Sequence, residues 1–454
     1  MSYNSFVPKN LRKDGYMSKT FAGGIKFRRK KLKNNKIIPA VCNKVTFVLD
    51  KDDKAEISDG QSIKKYALIR KSSPEREALF ASISGKAQIE NDGDKTIITI
   101  NAEEDTADAE FTPLSKPIND YTAVQLRDAL SDKGIRINEA GTEAKVLTVD
   151  CTCSPLNHTK DLLCRLYAEK TVGGAKVLMK IFGAVKCIFA IPSSCLEAAQ
   201  SIEKCLLAKK SMIKISLIKD KYPSREHLTV CASSGIEITP SKELEKAGYP
   251  TVSPNLCLSV FRALAEGVPY CEDYLTVNDN GESKVMLCPL GANVKNLADG
   301  KAPLFYAEAP FGTPVSENSL FSSQIQAVTT AKPAKDKKQN NCIGCGRCVD
   351  ICVGRLTPYR LYANSKKISE AMKNELLSCF ECGCCSLVCP SRLPLYETFA
   401  VLKHGSECGE QDERHDIEKR EDEIPQELTF ENKGGEKSDL NAIFAENGED
   451  GTNE

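Results

Sequence analysis

Apolar positions change their spacing several times along this chain. From residue 37 to about 115 they alternate with polar ones over short runs, Val45-Thr-Phe-Val-Leu49, Tyr66-Ala-Leu-Ile69 and Thr96-Ile-Ile-Thr-Ile100. Turn formers separate these runs at Asp50 to Asp53, Asp59-Gly60 and Asp92-Gly-Asp94. Such alternation predicts short strands with one buried face, hence a small all-β unit, a sandwich or barrel. From 116 to 250 the spacing becomes mixed. Tyr121 to Lys133 is helical in period, and Lys145 to Asp150 is a buried-type strand. Asp161 to Phe182 reads as one helix, with Leu162, Leu163, Leu166, Val177, Leu178 and Ile181 apolar. A strand to Pro192, a helix from Ser194 to Ala208 and a strand from Ile213 to Ile218 follow. This order predicts a parallel α/β layer. Ligands of such layers sit at the carboxyl ends of the strands, here the turns after Asp150 and Pro192.

Residues 251–300 predict a helix from Leu256 to Glu266 and two strands, Tyr274 to Val277 and Lys284 to Leu287. The turn Asn278-Asp-Asn-Gly281 between them is a hairpin signal. Residues 301–340 read as a proline- and lysine-containing connector.

Charge adds two features. The net charge is zero, from 62 basic and 62 acidic residues. The tail 404–454 is strongly acidic and poor in apolar residues, which reads as disordered. Residues 1–36 form a basic arm whose only acid is Asp14. Its run Lys26-Phe-Arg28-Arg29-Lys30-Lys31 suits acidic lipid headgroups, nucleic acid, an acidic partner or plain solvation. Nucleic acid is disfavoured, since no recognition motif accompanies the charge. The N-terminus lacks the apolar core of a signal peptide. The most apolar stretch, Val177 to Leu196, holds Lys180, Lys186 and Pro192, so no transmembrane segment is expected.

The chemistry is concentrated in residues 341–403. Cys342-Ile-Gly-Cys345-Gly-Arg-Cys348-Val-Asp-Ile-Cys352 is a C-x2-C-x2-C-x3-C run. Cys379-Phe-Glu-Cys382-Gly-Cys-Cys385-Ser-Leu-Val-Cys389-Pro390 repeats it. Three thiolates so spaced hold one iron–sulfur cubane, and the fourth reaches the other cubane. Cys342, Cys345, Cys348 and Cys389 are therefore assigned to one 4Fe–4S cluster. Cys379, Cys382, Cys385 and Cys352 take the second. The rival, a pair of zinc knuckles, uses four ligands in two pairs rather than three plus a crossed fourth. Cys384, between two ligands, reads as a spectator. Iron–sulfur ligands plus scattered free thiols, among 21 cysteines in all, argue for a reducing cytoplasm. Cys151-Thr-Cys153 and His158 lie near a predicted strand end. No third ligand stands near the C-x-C, so they read as buried thiols and a structural histidine.

The order of units resembles the C subunit of the Rnf complex, a membrane-bound, ion-translocating electron transporter between ferredoxin and NAD. Phe21-Ala-Gly23-Gly24-Ile25 is similar to the family's opening motif, and Asp59-Gly60-Gln61 to its Gly-Gln turn. Gly267-Val-Pro269, Leu275-Thr-Val277, Pro310-Phe-Gly312 and the cysteine runs through Pro390-Ser-Arg-Leu-Pro394 match as well. The resemblance runs from Phe21 to Leu402. It implies a multidomain α+β and α/β fold: a barrel-sandwich β domain (37–115), a Rossmann-like layer (116–250), a β-grasp unit (251–300) and a helical two-cluster ferredoxin domain (341–403). It implies an iron–sulfur electron-transfer subunit, peripheral on the cytoplasmic face of the membrane. Partners would be other Rnf-type subunits and ferredoxin or another electron carrier. An alternative is a soluble donor of the same type that feeds a specific reductase; another keeps the α/β layer only as a docking scaffold.

The family's α/β layer resembles the flavin- and NADH-binding subunit of respiratory complex I, and here this chain departs from it. Between Leu126 and Ala144 only Gly134 and Gly141 remain of a glycine-rich loop, and Arg136, Ile137, Asn138, Glu139 and Glu143 intervene. The family's two ligand-turn glutamates are Thr152 and Ser154, and a later glycine-rich segment is Tyr222-Pro-Ser-Arg225-Glu226. Phosphate needs close backbone amides or cations, which glycine permits. The departures imply that this chain has no NADH site of its own and does not hold FMN tightly, unless Gly173-Gly174 supplies a displaced turn.

Overall fold

The computed structural model describes residues 20–407, apart from 28, 30–31, 33, 104–107, 139–143, 207–211, 224–231, 233–234, 236–245, 280–281, 299–303, 307–313 and 331–337. Most of the basic arm, the tail from 408, Glu139, Gly141, Glu143, Arg225, Glu226 and the tip of the Asn278 turn lie outside the described residues. Among the described residues no helix is long and apolar enough to cross a membrane. The architecture is mixed α/β and multidomain.

The first unit is an antiparallel sheet in the order Lys44–Asp50, Lys95–Ala102, Gly85–Asp92, Ser62–Ile63, with a small pair Leu68–Arg70 and Leu79–Phe80 beside it. Alternation dictates its faces: Val45, Phe47 and Leu49 point inward and pair with Ile100, Ile98 and Thr96. That inner face does not close on itself. Its core continues into Leu275, Val277, Met286 and Cys288 of a second sheet.

The second sheet has five strands in the order Leu304–Tyr306, Ala327–Thr330, Glu272–Asp279, Glu282–Pro289, Ile37–Pro39. The 301–340 segment is therefore more than a connector, since it supplies two strands. Ile37–Pro39, expected to open the first β unit, pairs in parallel with Glu282–Pro289 instead. Both corrections have one cause. These strands of three or four residues carry too little pattern to announce a partner, and the neighbouring sheet edge decides their placement.

The α/β layer is a four-stranded parallel sheet in the order Ile213–Ile218, Lys186–Pro192, Val146–Asp150, Thr251–Val252. Its last strand lies past the expected boundary at 250. Helices Ala123–Ser131, Ala168–Phe182, Leu196–Leu206 and Pro254–Phe261 pack around it. Thr122 and Gln125 start the first of these with a reciprocal capping box.

The single helix expected from Asp161 to Phe182 is two, Thr159–Leu166 and Ala168–Phe182, broken at Tyr167 (φ −124°, ψ 33°). No glycine or proline marks the break. Leu162 and Leu163 pack with Tyr274 and Val285 of the five-stranded sheet, whereas Val172, Ala175 and Leu178 join the parallel-sheet core. One straight helix would have to serve both. Gly173 and Gly174 lie inside the second helix and form no phosphate turn. A Cβ at Gly174 would stand 1.7 Å from the Cys257 carbonyl oxygen, so these glycines let helix Pro254–Phe261 approach.

The cysteine-rich unit is helical, with Arg347–Asp350, Pro358–Ala363, Glu370–Leu377, Cys384–Leu387 and Leu395–Glu407 around Leu361, Leu376, Leu395 and Phe399.

Candidate iron–sulfur centres

The two cysteine runs fold as a repeat offset by 37 positions, 342 to 379. In each, a glycine in the left-handed region precedes a one-turn helix: Gly346 (φ 73°) before Arg347–Asp350 and Gly383 (φ 70°) before Cys384–Leu387. The repeat extends to residues that are not glycine. Glu381 (φ 46°) occupies the place of Gly344 (φ 68°), and Arg355 (φ 55°) that of Arg392 (φ 54°). Left-handed backbone at non-glycine residues is strained and is held here by its surroundings. Lys403 pairs with Glu381 at 2.8 Å and donates to the Cys379 carbonyl at 3.0 Å. The curved loops aim amides at sulfur. Gly344 N–H donates to Cys342 Sγ (3.5 Å), Glu381 N–H to Cys379 Sγ (3.4 Å) and Leu356 N–H to Cys352 Sγ (3.3 Å). Such bonds offset the charge of a cluster and tune its potential.

Two small cavities open among these loops. One is lined by Cys342, Cys345, Cys348 and Cys389; the other by Cys352, Cys379, Cys382 and Cys385, with Cys384 beside them. Each cavity thus joins three thiols of one run to the last thiol of the other. Burial raises the Cys348 thiol, with Cys389 and Cys345 adding to it. Burial pushes Cys379 up to about 11, with Cys382 and Cys352 adding. Iron loading must displace such protons, so assembly is pH-dependent. Four thiols, three from one run and one from the other, line each cavity, a donor set that suits an iron–sulfur cluster.

The two cavities differ in surroundings. Cys342 and Cys345 are exposed, and Ile343 between them is 69% exposed. The second cavity is packed against the body of the protein. Tyr222 O–H donates to the Cys382 carbonyl at 2.8 Å, and Cys384 S–H donates to the Tyr222 carbonyl at 3.8 Å. Gly24 N–H donates to the Ile351 carbonyl, and a Cβ at Gly23 would stand 2.7 Å from the Cys352 oxygen. Phe21 packs with Val353 and Phe380. Val353 stands where the second run has Pro390, and its packing on the N-terminal segment accounts for an apolar side chain there. Tyr222, Phe21 and Lys403 were not legible as parts of a cluster site. The Arg355–Arg392 repeat was visible in the sequence, at the same 37-residue offset.

The carboxyl edge of the parallel sheet is filled by this chain's own groups. Asp150 accepts from Thr152 N–H (3.0 Å), Thr152 O–H (2.6 Å) and Lys160 Nζ (2.9 Å), all buried. Thr152, in place of a ligand-turn glutamate, therefore closes its own turn. Cys151 Sγ lies 3.8 Å from Cys164 Sγ, and burial raises the Cys151 and Cys153 thiols, which leaves them unreactive. Gly134 (φ 86°) makes a turn against the carbonyls of Ala78 and Tyr270.

His158, 2% exposed, is pushed down to about 3, first by burial and then by Arg29 and Arg165. It therefore stays neutral in the folded protein, as a structural residue. The unfolded chain takes up the proton from about pH 6.5 downward, so His158 draws the balance toward unfolding as pH falls from 6.5 to about 3. At pH 5 this amounts to about 2 kcal/mol. His158→Gln is expected to remove that part of the slope in denaturant titrations at pH 7 and pH 5. An unchanged slope would place the acid sensitivity elsewhere.

Comparison with known proteins adds the following. Residues 341–393 match the family described as a 4Fe-4S dicluster domain. The chain is 24% identical over 211 residues to the C subunit of the proton-translocating ferredoxin:NAD(+) oxidoreductase complex of Clostridium ljungdahlii, covering 43% of this chain and 45% of that one. It is 23% identical over 238 residues to the C subunit of the Na(+)-translocating ferredoxin:NAD(+) oxidoreductase complex of Acetobacterium woodii, covering 48% and 54%. For the C subunit of the ion-translocating oxidoreductase complex of Yersinia enterocolitica the identity is 26% over 225 residues, covering 46% and 32%. The chain thus spans about half or less of the length of these relatives. The resemblance to the C subunit of Rnf-type complexes is borne out, at an identity that marks the chain as divergent. The alignments cover about half of this chain, less than the span from Phe21 to Leu402.

Proposed function

We propose that this chain is the iron–sulfur electron-transfer subunit of a membrane-associated Rnf-type complex, which couples electron transfer between ferredoxin and NAD to ion translocation. The observation that carries this reading is the pair of cysteine-lined cavities, each drawing on both runs. They belong to a segment that matches a two-cluster domain. When bound, two 4Fe–4S clusters supply one-electron chemistry. The chain's own part is to hold them, exclude water and donate amide hydrogen bonds to sulfur. Cys342, Cys345, Cys348 and Cys389 hold the outer cluster, where exposed Ile343 lets an external carrier approach. Cys379, Cys382, Cys385 and Cys352 hold the inner one, against Tyr222. Clusters held there would supply one-electron transfer, and the exposed rim at Ile343 would face the external carrier. We read the β unit as a barrel-sandwich, the parallel layer as Rossmann-like and the five-stranded sheet as a β-grasp unit. The self-filled strand ends support the absence of an NADH site and of tightly held FMN.

Fractionation of cells that make the whole complex tests the setting. The chain should stay with membranes at low salt and leave on carbonate washing, because its attachment is to partner subunits and acidic headgroups. Retention through carbonate would contradict a peripheral seat. Recovery wholly in the soluble fraction beside its membrane partners would favour the soluble donor.

A further inference from the structure

The basic arm takes an unexpected course. Ile25–Lys26 pairs antiparallel with Lys221–Tyr222. That strand carries Arg29 into the crevice beyond the carboxyl ends of the parallel strands. The Arg29 side chain is 5% exposed. Its Nη1 donates to the Asn157 carbonyl at 3.0 Å and its Nη2 to the Cys153 carbonyl at 3.1 Å, both on the segment after the Asp150 strand. Its Nε lies 4.0 Å from Asp220 Oδ1, just past the Ile213–Ile218 strand. Asp220 in turn accepts from Ser194 N–H (3.0 Å) and Ser194 O–H (2.7 Å), on the turn after Pro192. The guanidinium thus hydrogen-bonds the segment after one parallel strand and stands at ion-pair distance from the carboxylate after a second, which in turn holds the turn after a third. A crevice built of carbonyl oxygens and a carboxylate is the inverse of a phosphate cradle, which presents N–H groups.

We propose that this crevice is a guanidinium-binding site, filled in cis by Arg29, and that it fastens the N-terminal segment which seals the inner cluster. The fork of Arg satisfies two carbonyls and faces a carboxylate at once, which a single ammonium does not. The same acceptors repel an anionic phosphate. The proposal stands apart from the electron-transfer reading, since it concerns what the crevice accepts.

Its test is thermal unfolding of the anaerobic full-length holoprotein, with flavin titration alongside. Arg29→Ala should lower Tm by several degrees. Guanidinium chloride at millimolar concentration, far below denaturing levels, should restore much of that loss in the variant and do nothing for the parent; urea and sodium chloride at equal concentration should not. Arg29→Lys should be destabilised too and recover less, because its stem still occupies the crevice. No recovery of Arg29→Ala by guanidinium, or Arg29→Lys as stable as the parent, would overturn the proposal. So would stoichiometric FMN uptake by Arg29→Ala, which would reveal an anion pocket beneath a removable plug.

Discussion

Cys389→Ser is expected to remove the cluster held by Cys342, Cys345 and Cys348, and to leave intact the cluster held by its sequence neighbours Cys379, Cys382 and Cys385. Iron should fall to about half, since one of two cubanes is lost. The reason is geometric. Cys389 follows the helix Cys384–Leu387 and lines the outer cavity with the three thiols of the first run. Serine is a poor ligand for iron in this site, so three corners remain and the cubane becomes labile. EPR of the reduced variant, set beside that of Cys352→Ser, reads the outcome, because each variant should keep only the signal of its surviving cluster. Loss of the inner cluster with survival of the outer one would sink the assignment. The mirror variant, Cys352→Ser, should spare the outer cluster.

Lys160→Met should cost the fold about 3–5 kcal/mol, the usual penalty for breaking a buried ion pair from one side. Lys160 and Asp150 are 6% and 1% exposed and 2.9 Å apart. Removing the ammonium leaves the carboxylate without its counter-charge, held by the two Thr152 bonds. The double variant Asp150→Leu with Lys160→Met should recover much of the loss, since no buried charge is then stranded. Denaturant unfolding of both variants measures it. A loss under about 1 kcal/mol in Lys160→Met would show that the two Thr152 bonds suffice for Asp150.

Much of the architecture was legible in sequence because it follows covalent or periodic rules. The strand read as Lys145 to Asp150 is Val146–Asp150, and the helix read from Ser194 to Ala208 is Leu196–Leu206. The eight cysteines picked out by spacing all line the two cavities, with Cys384 as a further thiol in the second. What was not legible depends on contacts between distant segments. The break at Tyr167 arises because two cores compete for one helix. Leu304–Tyr306 and Ala327–Thr330 take their identity from the sheet that they join. Arg29 sits in a run of basic residues between Lys26 and Lys31, and nothing local distinguishes it from its neighbours. Its burial comes with the pairing of Ile25 with Tyr222 and the contacts to Asn157, Cys153 and Asp220, all distant in sequence. The departures at Thr152 and Ser154 were visible, but their consequence was not, namely that Thr152 satisfies Asp150 within the turn.

On the proposed reading, this chain carries electrons on two cubanes and on nothing else. Iron, acid-labile sulfide, zinc and flavin, counted together on one anaerobically purified sample, test it most directly. About eight iron and eight sulfide per chain are expected, as two 4Fe–4S clusters require, with neither zinc nor flavin in stoichiometric amount. Zinc in place of iron, iron for a single cluster, or one flavin per chain would contradict it.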